Sequence, residues 1–432
     1  MFLNEIITSK LDSLKKQKFV NDLFGDSLFY YFDLFKKNKN IIVVKDEQSA
    51  QEISYQLKEI QNKEDVYIFH EWDKLFYDGT IPSSDIEGKR IRTLFHINSC
   101  KSFFLIIPCR AFYQKILPPD VLKGSSITLA IKSLAPINVI GKKLTDLGFE
   151  REDRVEEPGK YSLRGEVIDV WPYGHKTPYR INTGFDEIET IRRIDPDTNH
   201  SRTDEIESLT ILPCREIFAL AKNAPEYKDL PIEDLYDLYP NIYPSQSSIL
   251  DYTGDANLFF LERDIIFEKI KALKEELENY KQHPDNILFD DHFYKNKDIE
   301  PVLISEFRDY GEQYRAPVKS VPSFNRDFSA LGEYLVSRLT SKNTIIISFE
   351  NKAKLIRFKE ILKEYSIDLK GRESYFTGKK EVFGIVSPLR KGFYLPEEDL
   401  IFIGEDNIWG KSLIRKKVKR VRKKLFDIFS EL

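Results

Sequence analysis

Short apolar runs alternate with amphipathic stretches along the first part of the chain. Ile41-Ile42-Val43-Val44 is a continuous apolar run of the kind buried on both faces of a parallel sheet. Ala50, Ile53, Leu57 and Ile60 follow at helical spacing, and Val66-Tyr67-Ile68-Phe69 predicts a second strand. Ile91, Leu94 and Phe95 suit a helix, and 103–107 a third strand. This alternation predicts a parallel sheet with crossover helices over residues 1–118.

Pro118-Pro119 interrupts the pattern. Beyond it, 126–131 alternates, 138–147 reads as a helix closed by Gly148, and 161–171, 179–183 and 187–194 are strand candidates separated by turns. A smaller α+β unit is therefore expected over 119–213. Over 214–330 the chain is mixed and acidic, with strands expected at 248–252 and 257–261, an amphipathic helix at 265–280 and an extended segment at 314–324. Strand–helix alternation returns over 331–410, with helices at 331–339 and 352–365 and strands at 344–348, 381–386 and 399–403.

A length of 432 residues leaves room for about three domains, and 41% hydrophobic with 13% aromatic residues suffices to fill their cores. Lys+Arg 66 against Asp+Glu 70 gives a formal charge of −4, which excludes a uniformly basic nucleic-acid coat. The charge is uneven. Nine cations between Lys411 and Lys424, with no acid among them, leave about −13 on the remainder. Ile414, Val418, Val421 and Leu425 recur there at helical spacing, predicting a basic linker helix over 411–432. Its cations either sit in water or form a phosphate-contacting arm, with Arg415, Lys416, Lys417, Lys419 and Arg420 as candidates. Cys100, Cys109 and Cys214, without C-x-x-C spacing, read as reduced core thiols. No apolar run approaches the ~20 residues of a membrane helix, and the first residues lack a secretory-type apolar core, so a cytoplasmic protein is expected.

Catalytic signatures are sparse. Gly404–Ser412 reads GEDNIWGKS, close to a phosphate-binding loop, but five residues rather than four separate the glycines. Glu405 and Asp406 would repel phosphate where backbone N–H groups should cradle it. Gly25-Asp26-Ser27 stands where a first phosphate loop would fall and lacks Gly-Lys-Ser/Thr. Asp290-Asp291-His292 has no second ligand pair at metal-site spacing and reads as a solvated loop. There is no G-x-S-x-G elbow and no H-E-x-x-H.

The richest segment is 148–197. Period-two counting places Tyr161, Leu163, Val167, Trp171, Tyr179, Ile181 and Phe185 on one apolar face, interrupted by Asp169. The other face then carries Arg164, Glu166, Arg180 and Asn182, and Arg151 precedes it. A sheet with one dry face and one arginine face is either a solvated surface or a contact for an acidic partner, since guanidinium groups pair well with carboxylates.

These residues carry a resemblance. Tyr161, Arg164-Gly165, Asp169 and Pro172, then Pro178–Ile181, Asp186–Arg192, Asp195–Thr198 and Ile211–Glu216, closely resemble the UvrB-homology module of the bacterial transcription-repair coupling factors (Mfd). Trp72–Asp78 with Pro82, Asp85 and Arg90–Leu94 is a second match, and Gly392–Pro396 through Gly410 a third. All lie in family order.

The resemblance implies a multi-domain α/β fold. A degenerate helicase-like parallel α/β domain (1–118 and 214–330) would carry an inserted α+β, UvrB domain 2-like hairpin domain (119–213), followed by a second small α/β domain (331–410). It implies a module that resembles UvrB without its nucleotide site. Only Ile86, Glu87, Gly88 and Lys89 separate Asp85 from Arg90, so the long DNA-clamping hairpin of UvrB has no room here. It implies recruitment of UvrA in transcription-coupled nucleotide excision DNA repair, with Arg151, Arg164 and Arg180 as contacts. Asn182-Thr183-Gly184-Phe185 departs from the family, which has an acidic residue and two aromatics there, so one acidic contact is missing.

The family's RNA-polymerase-binding domain, DNA translocase motor and autoinhibitory domain would lie beyond Leu432. DNA and RNA polymerase are thus partners of those parts, and ATP with magnesium belongs to the motor. An adaptor without enzymatic activity or cofactor is therefore expected, as a fragment or truncated product. The alternative, an ATP-dependent DNA helicase or translocase, requires a phosphate loop.

Overall fold

The structure, a computed structural model, describes residues 3–61, 65–74, 81–196, 198, 200–217, 230, 235–236, 247–278, 288–289, 293–306, 308–341, 343–371 and 381–410. The expected basic helix over 411–432, the Asp290-Asp291-His292 cluster and the 75–78 part of the second match lie outside these residues. The chain divides into two units, 1–319 and 320–432.

The apolar runs of the first unit become a wholly parallel sheet. Phe19–Asn21, Val302–Ser305, Asn257–Leu261, Lys39–Val44, Phe103–Pro108 and Val66–Ile68 lie side by side in that order. Ile41 to Val44 and Phe103 to Ile107 are buried throughout, as strands covered on both faces must be. The helices Glu47–Gln61, Ser84–Ser99 and Arg263–Glu278 follow strands of this sheet. The chain leaves after Phe103–Pro108 and rejoins at Asn257–Leu261, beside Lys39–Val44, so the α+β unit is an excursion between strands of one sheet.

Within that excursion a second, mostly antiparallel sheet runs Ser201–Glu205, Glu187–Ile194, Tyr179–Gly184, Val167–Val170, Lys160–Arg164, Glu150–Arg151. The helix Ile137–Asp146 packs on one face through Ile140 and Leu144, against Tyr161, Ile168, Ile181 and Ile191. Gly141 permits the close approach, since a Cβ there would lie 2.7 Å from Leu163 Cδ1. Thr145 Oγ1 and the Tyr161 hydroxyl, 2.9 Å apart, add a polar tie.

The second unit repeats the parallel plan on a smaller scale. Leu400–Ile403, Thr344–Phe349 and Val382–Val386 pair in parallel, with Phe393–Leu395 antiparallel at one side. The helices Phe328–Thr340 and Lys352–Glu364 begin at Asp327 and Asn351, whose side chains accept from Ala330 N and Lys354 N.

Three expectations need correction. Residues 248–252 are not a strand but lead into the helix Ile249–Thr253. Asp251 accepts from Ser248 N at 2.7 Å and Ser248 Oγ at 2.9 Å, so a capping signature outweighs the short apolar run. Residues 161–171 are two strands, joined by the two-residue turn Gly165-Glu166, with Gly165 at φ +59°. A two-residue turn pairs Arg164 with Val167, so the count of odd positions passes to the opposite face. Ile168 and Val170, not Val167 and Trp171, are therefore core residues, and Asp169 joins the polar face. Phe185 is not in the core either. It and Asp186 occupy the tip of the next hairpin at φ +51° and +64°, and its side chain is fully exposed.

Candidate functional site

The polar face is built by register. Ser162 lies opposite Asp169, and Asp169 opposite Arg180, across three adjacent strands. Alternation then points Arg164, Asp169, Arg180, Asn182 and Arg192 to the same side. Asp169 is only 2% exposed, yet it carries two guanidinium groups. Arg180 donates from Nε to Oδ1 and from Nη2 to Oδ2, each at 2.7 Å. Arg164 donates from Nη2 to Oδ2 at 3.2 Å. The bidentate pair raises the Arg180 pKa further above its ordinary value. Arg164 remains 54% exposed and Arg180 23%. Beside them Asn182 donates to Thr190 Oγ1 at 2.7 Å, and Arg192 pairs with Glu205 at 3.1 Å.

The structure thus brings Arg164 and Arg180 to one carboxylate and leaves Arg151 apart. Arg151 is exposed on the edge strand and stands in register with Tyr161, whose side of the sheet carries the core. Glu166 sits in the turn. At the same end of the sheet, Phe185 protrudes from the neighbouring hairpin tip. Period counting missed both Asp169 and Phe185. The available signals were the Arg164-Gly165 turn and the Gly184-Phe185-Asp186 sequence at a strand end.

A second charged assembly lies where the excursion rejoins the parallel domain. Helix Ser84–Ser99 runs unbroken from Asp85 through Arg90, and its buried side carries Glu87 and Arg90. Arg90 Nε donates to Glu216 Oε1 at 2.5 Å and Nη1 to the His70 carbonyl at 2.7 Å, with both charged side chains fully buried. The guanidinium lies 4.2 Å from the Phe69 ring centroid and 5.3 Å from that of Trp72. Arg215 donates to Glu87 at 2.9 Å and to the Pro82 carbonyl at 2.8 Å, and the Tyr236 hydroxyl also donates to Glu87. Burial, reinforced by the Glu216 charge, pushes Glu87 up to about 8, against the pull of Tyr236 and Arg215. The second family match and the close of the first therefore meet in one buried network. Its sequence signal was two charged residues, Glu87 and Arg90, on the helical stripe of Ile91 and Leu94.

Of the 404–412 phosphate-loop candidate, Lys411 and Ser412 lie outside the described residues, and the described residues crowd the first glycine and add carboxylates. Gly404 leads directly into the helix Glu405–Trp409, and a Cβ on it would lie 2.0 Å from the Arg390 carbonyl oxygen. Glu405 accepts from Glu350 N at 2.7 Å and Lys354 Nζ at 2.6 Å, and Asp406 pairs with Arg390 at 3.0 Å. Carboxylates thus line that helix start. Gly25 precedes the helix Ser27–Asp33 with Asp26 buried beside it. Among the described residues no group of three His, Cys, Asp or Glu side chains is placed to hold a metal ion, and no helix is long and apolar enough to cross a membrane.

Comparison with known proteins finds a match over the residues that form the antiparallel sheet. The UvrB interaction domain family matches residues 127–217. A transcription-repair-coupling factor of Haemophilus influenzae is 23% identical over 91% of this chain, which corresponds to 38% of that protein. Its Borreliella burgdorferi counterpart is 30% identical over 48% of the chain and 19% of its own length, and one from Staphylococcus epidermidis 22% over 90% and 37%. The chain therefore spans less than two fifths of the curated relatives it matches. Residues 127–217 match the UvrB interaction domain family, within an α/β chain similar along most of its length to the transcription-repair-coupling factors.

Proposed function

We propose that this chain acts in transcription-coupled nucleotide excision repair as the region that recruits UvrA, through the polar face of its antiparallel sheet. The observation that carries the reading is the pair Arg164 and Arg180, gathered on Asp169 inside the UvrB interaction domain and still partly open to solvent. Arginine at an interface rim binds carboxylates by two-pronged contacts, and a fully exposed aromatic such as Phe185 supplies an apolar anchor beside it. Arg151, at the sheet edge and apart from this pair, is a second, separate contact in this reading. The partner is accordingly acidic around a small apolar recess. The reading assigns this region an adaptor role, with no catalytic step of its own.

The test is charge reversal. Arg151→Glu combined with Arg164→Glu should abolish capture of purified UvrA while circular dichroism and melting stay close to those of the parent chain. Undiminished capture by the folded double variant overturns the site assignment. Arg164→Glu alone should account for most of the loss.

A further inference from the structure

Asp169 is the least accessible charged member of the arginine face, and it is acidic on a face read as binding an acidic partner. It also makes more charged contacts than either arginine, holding Arg180 at both oxygens and Arg164 at one. A carboxylate buried between two cations fixes their rotamers. It uses two of the N–H groups of Arg180 but one of Arg164, so most donors of Arg164 stay directed at solvent. An arginine held in place beforehand loses less side-chain freedom when a partner arrives.

We propose that Asp169 is the positioning residue of the UvrA-recruiting face: it braces Arg180 as an inner support and presents Arg164 outward to a partner carboxylate. This rests on the reading above and deepens it. Arg164 is the contacting group, Arg180 the strut and Asp169 the anchor.

Charge alone predicts the opposite sign from positioning, which makes the inference testable. Asp169→Asn keeps the shape and adds one net positive charge to the face. Simple attraction to an acidic partner would then strengthen, whereas loss of the brace weakens it. Binding of purified UvrA to the full chain should fall about tenfold in Asp169→Asn, chiefly through faster dissociation, with the fold retained by circular dichroism. Arg180→Lys, which preserves charge but cannot span both carboxylate oxygens, should weaken binding in the same direction and serves if Asp169→Asn fails to fold. Unchanged or tighter binding by the folded Asp169→Asn chain, or unchanged binding by Arg180→Lys, overturns the positioning role. Arg164→Glu run alongside separates the two levels. If it too binds UvrA normally, the recruiting face itself is misassigned. If it alone loses binding, only the role of Asp169 fails.

Discussion

The two carboxylate–guanidinium assemblies of the first unit use the same chemistry to different ends. Around Arg215, the side chains of Glu87, Arg90 and Glu216 are fully buried, and the backbone carbonyls of His70 and Pro82 accept from Arg90 and Arg215, although Arg90 Nη2 has no hydrogen-bond partner. Around Asp169, the carboxylate is buried but its arginines reach solvent, and no backbone carbonyl competes for them in the contacts described. Burial decides the difference. A sealed ion pair locks two segments together and breaking it leaves an uncompensated charge, whereas a half-wet one contributes little to stability and keeps donors available.

The sharpest way to break this comparison is to remove one partner from the sealed network. Arg90→Met should cost about 3–5 kcal/mol of unfolding free energy in a denaturant titration, because the fully buried Glu216 loses the guanidinium paired with it. Pairing it with Glu216→Leu should recover much of that loss. A cost below about 1 kcal/mol for Arg90→Met would put the two assemblies on the same footing.

The half-wet face should respond in the other observable. Arg164→Glu is expected to weaken UvrA capture by about thirtyfold or more, equivalent to roughly 2 kcal/mol, while changing unfolding free energy by less than about 1 kcal/mol.

Acidity sharpens the contrast further. His175, at the loop facing helix Ser84–Ser99, is held down to about 4 from 6.5 by burial and by the charges of Arg92, His96 and Arg193. The unfolded chain takes up that proton near 6.5 and the native chain only near 4, so stability falls as pH drops through this window. Glu87 has the opposite sign. Raised from 4.5 to about 8, it keeps its proton in the native chain, and its contribution is lost as pH rises from 4.5 through 8. Melting temperature against pH should show a shallower acid limb in His175→Gln and a shallower neutral-to-alkaline limb in Glu87→Gln. Parallel profiles for all three chains would remove both assignments.

The smallest effect belongs to an exposed pair. Arg192→Gln severs the contact with Glu205, both side chains 40% exposed, and should shift unfolding free energy by no more than about 0.5 kcal/mol.

Much of the fold was legible along the chain. The strands Glu187–Ile194 and Asn257–Leu261 coincide with their expected ranges, and Lys39–Val44 and Phe103–Pro108 differ from theirs only at the ends. Continuous apolar runs and clean alternation are local signals, and they survive packing because burial rewards the same residues. The errors share a cause as well. A two-residue turn at Gly165-Glu166 reverses which residues face the core, and period counting carried across it misassigned Val167, Asp169 and Trp171 together. Phe185 was misread because hydrophobicity predicts burial only until a turn with positive φ lifts the residue off the sheet.

Residue order alone settled the alternation of strands and helices, the α+β interruption and the presence of Arg164 and Arg180 near one another in a sheet. What it could not determine is who faces whom. That Asp169 lies beneath both arginines depends on register across three strands. That Glu87 and Arg90 meet Arg215 and Glu216, more than a hundred positions later, depends on the chain returning to its own first domain. Charge pairing acts over a few ångströms of space, while sequence records only distance along the chain, so tertiary structure alone decided which charges are sealed and which remain open.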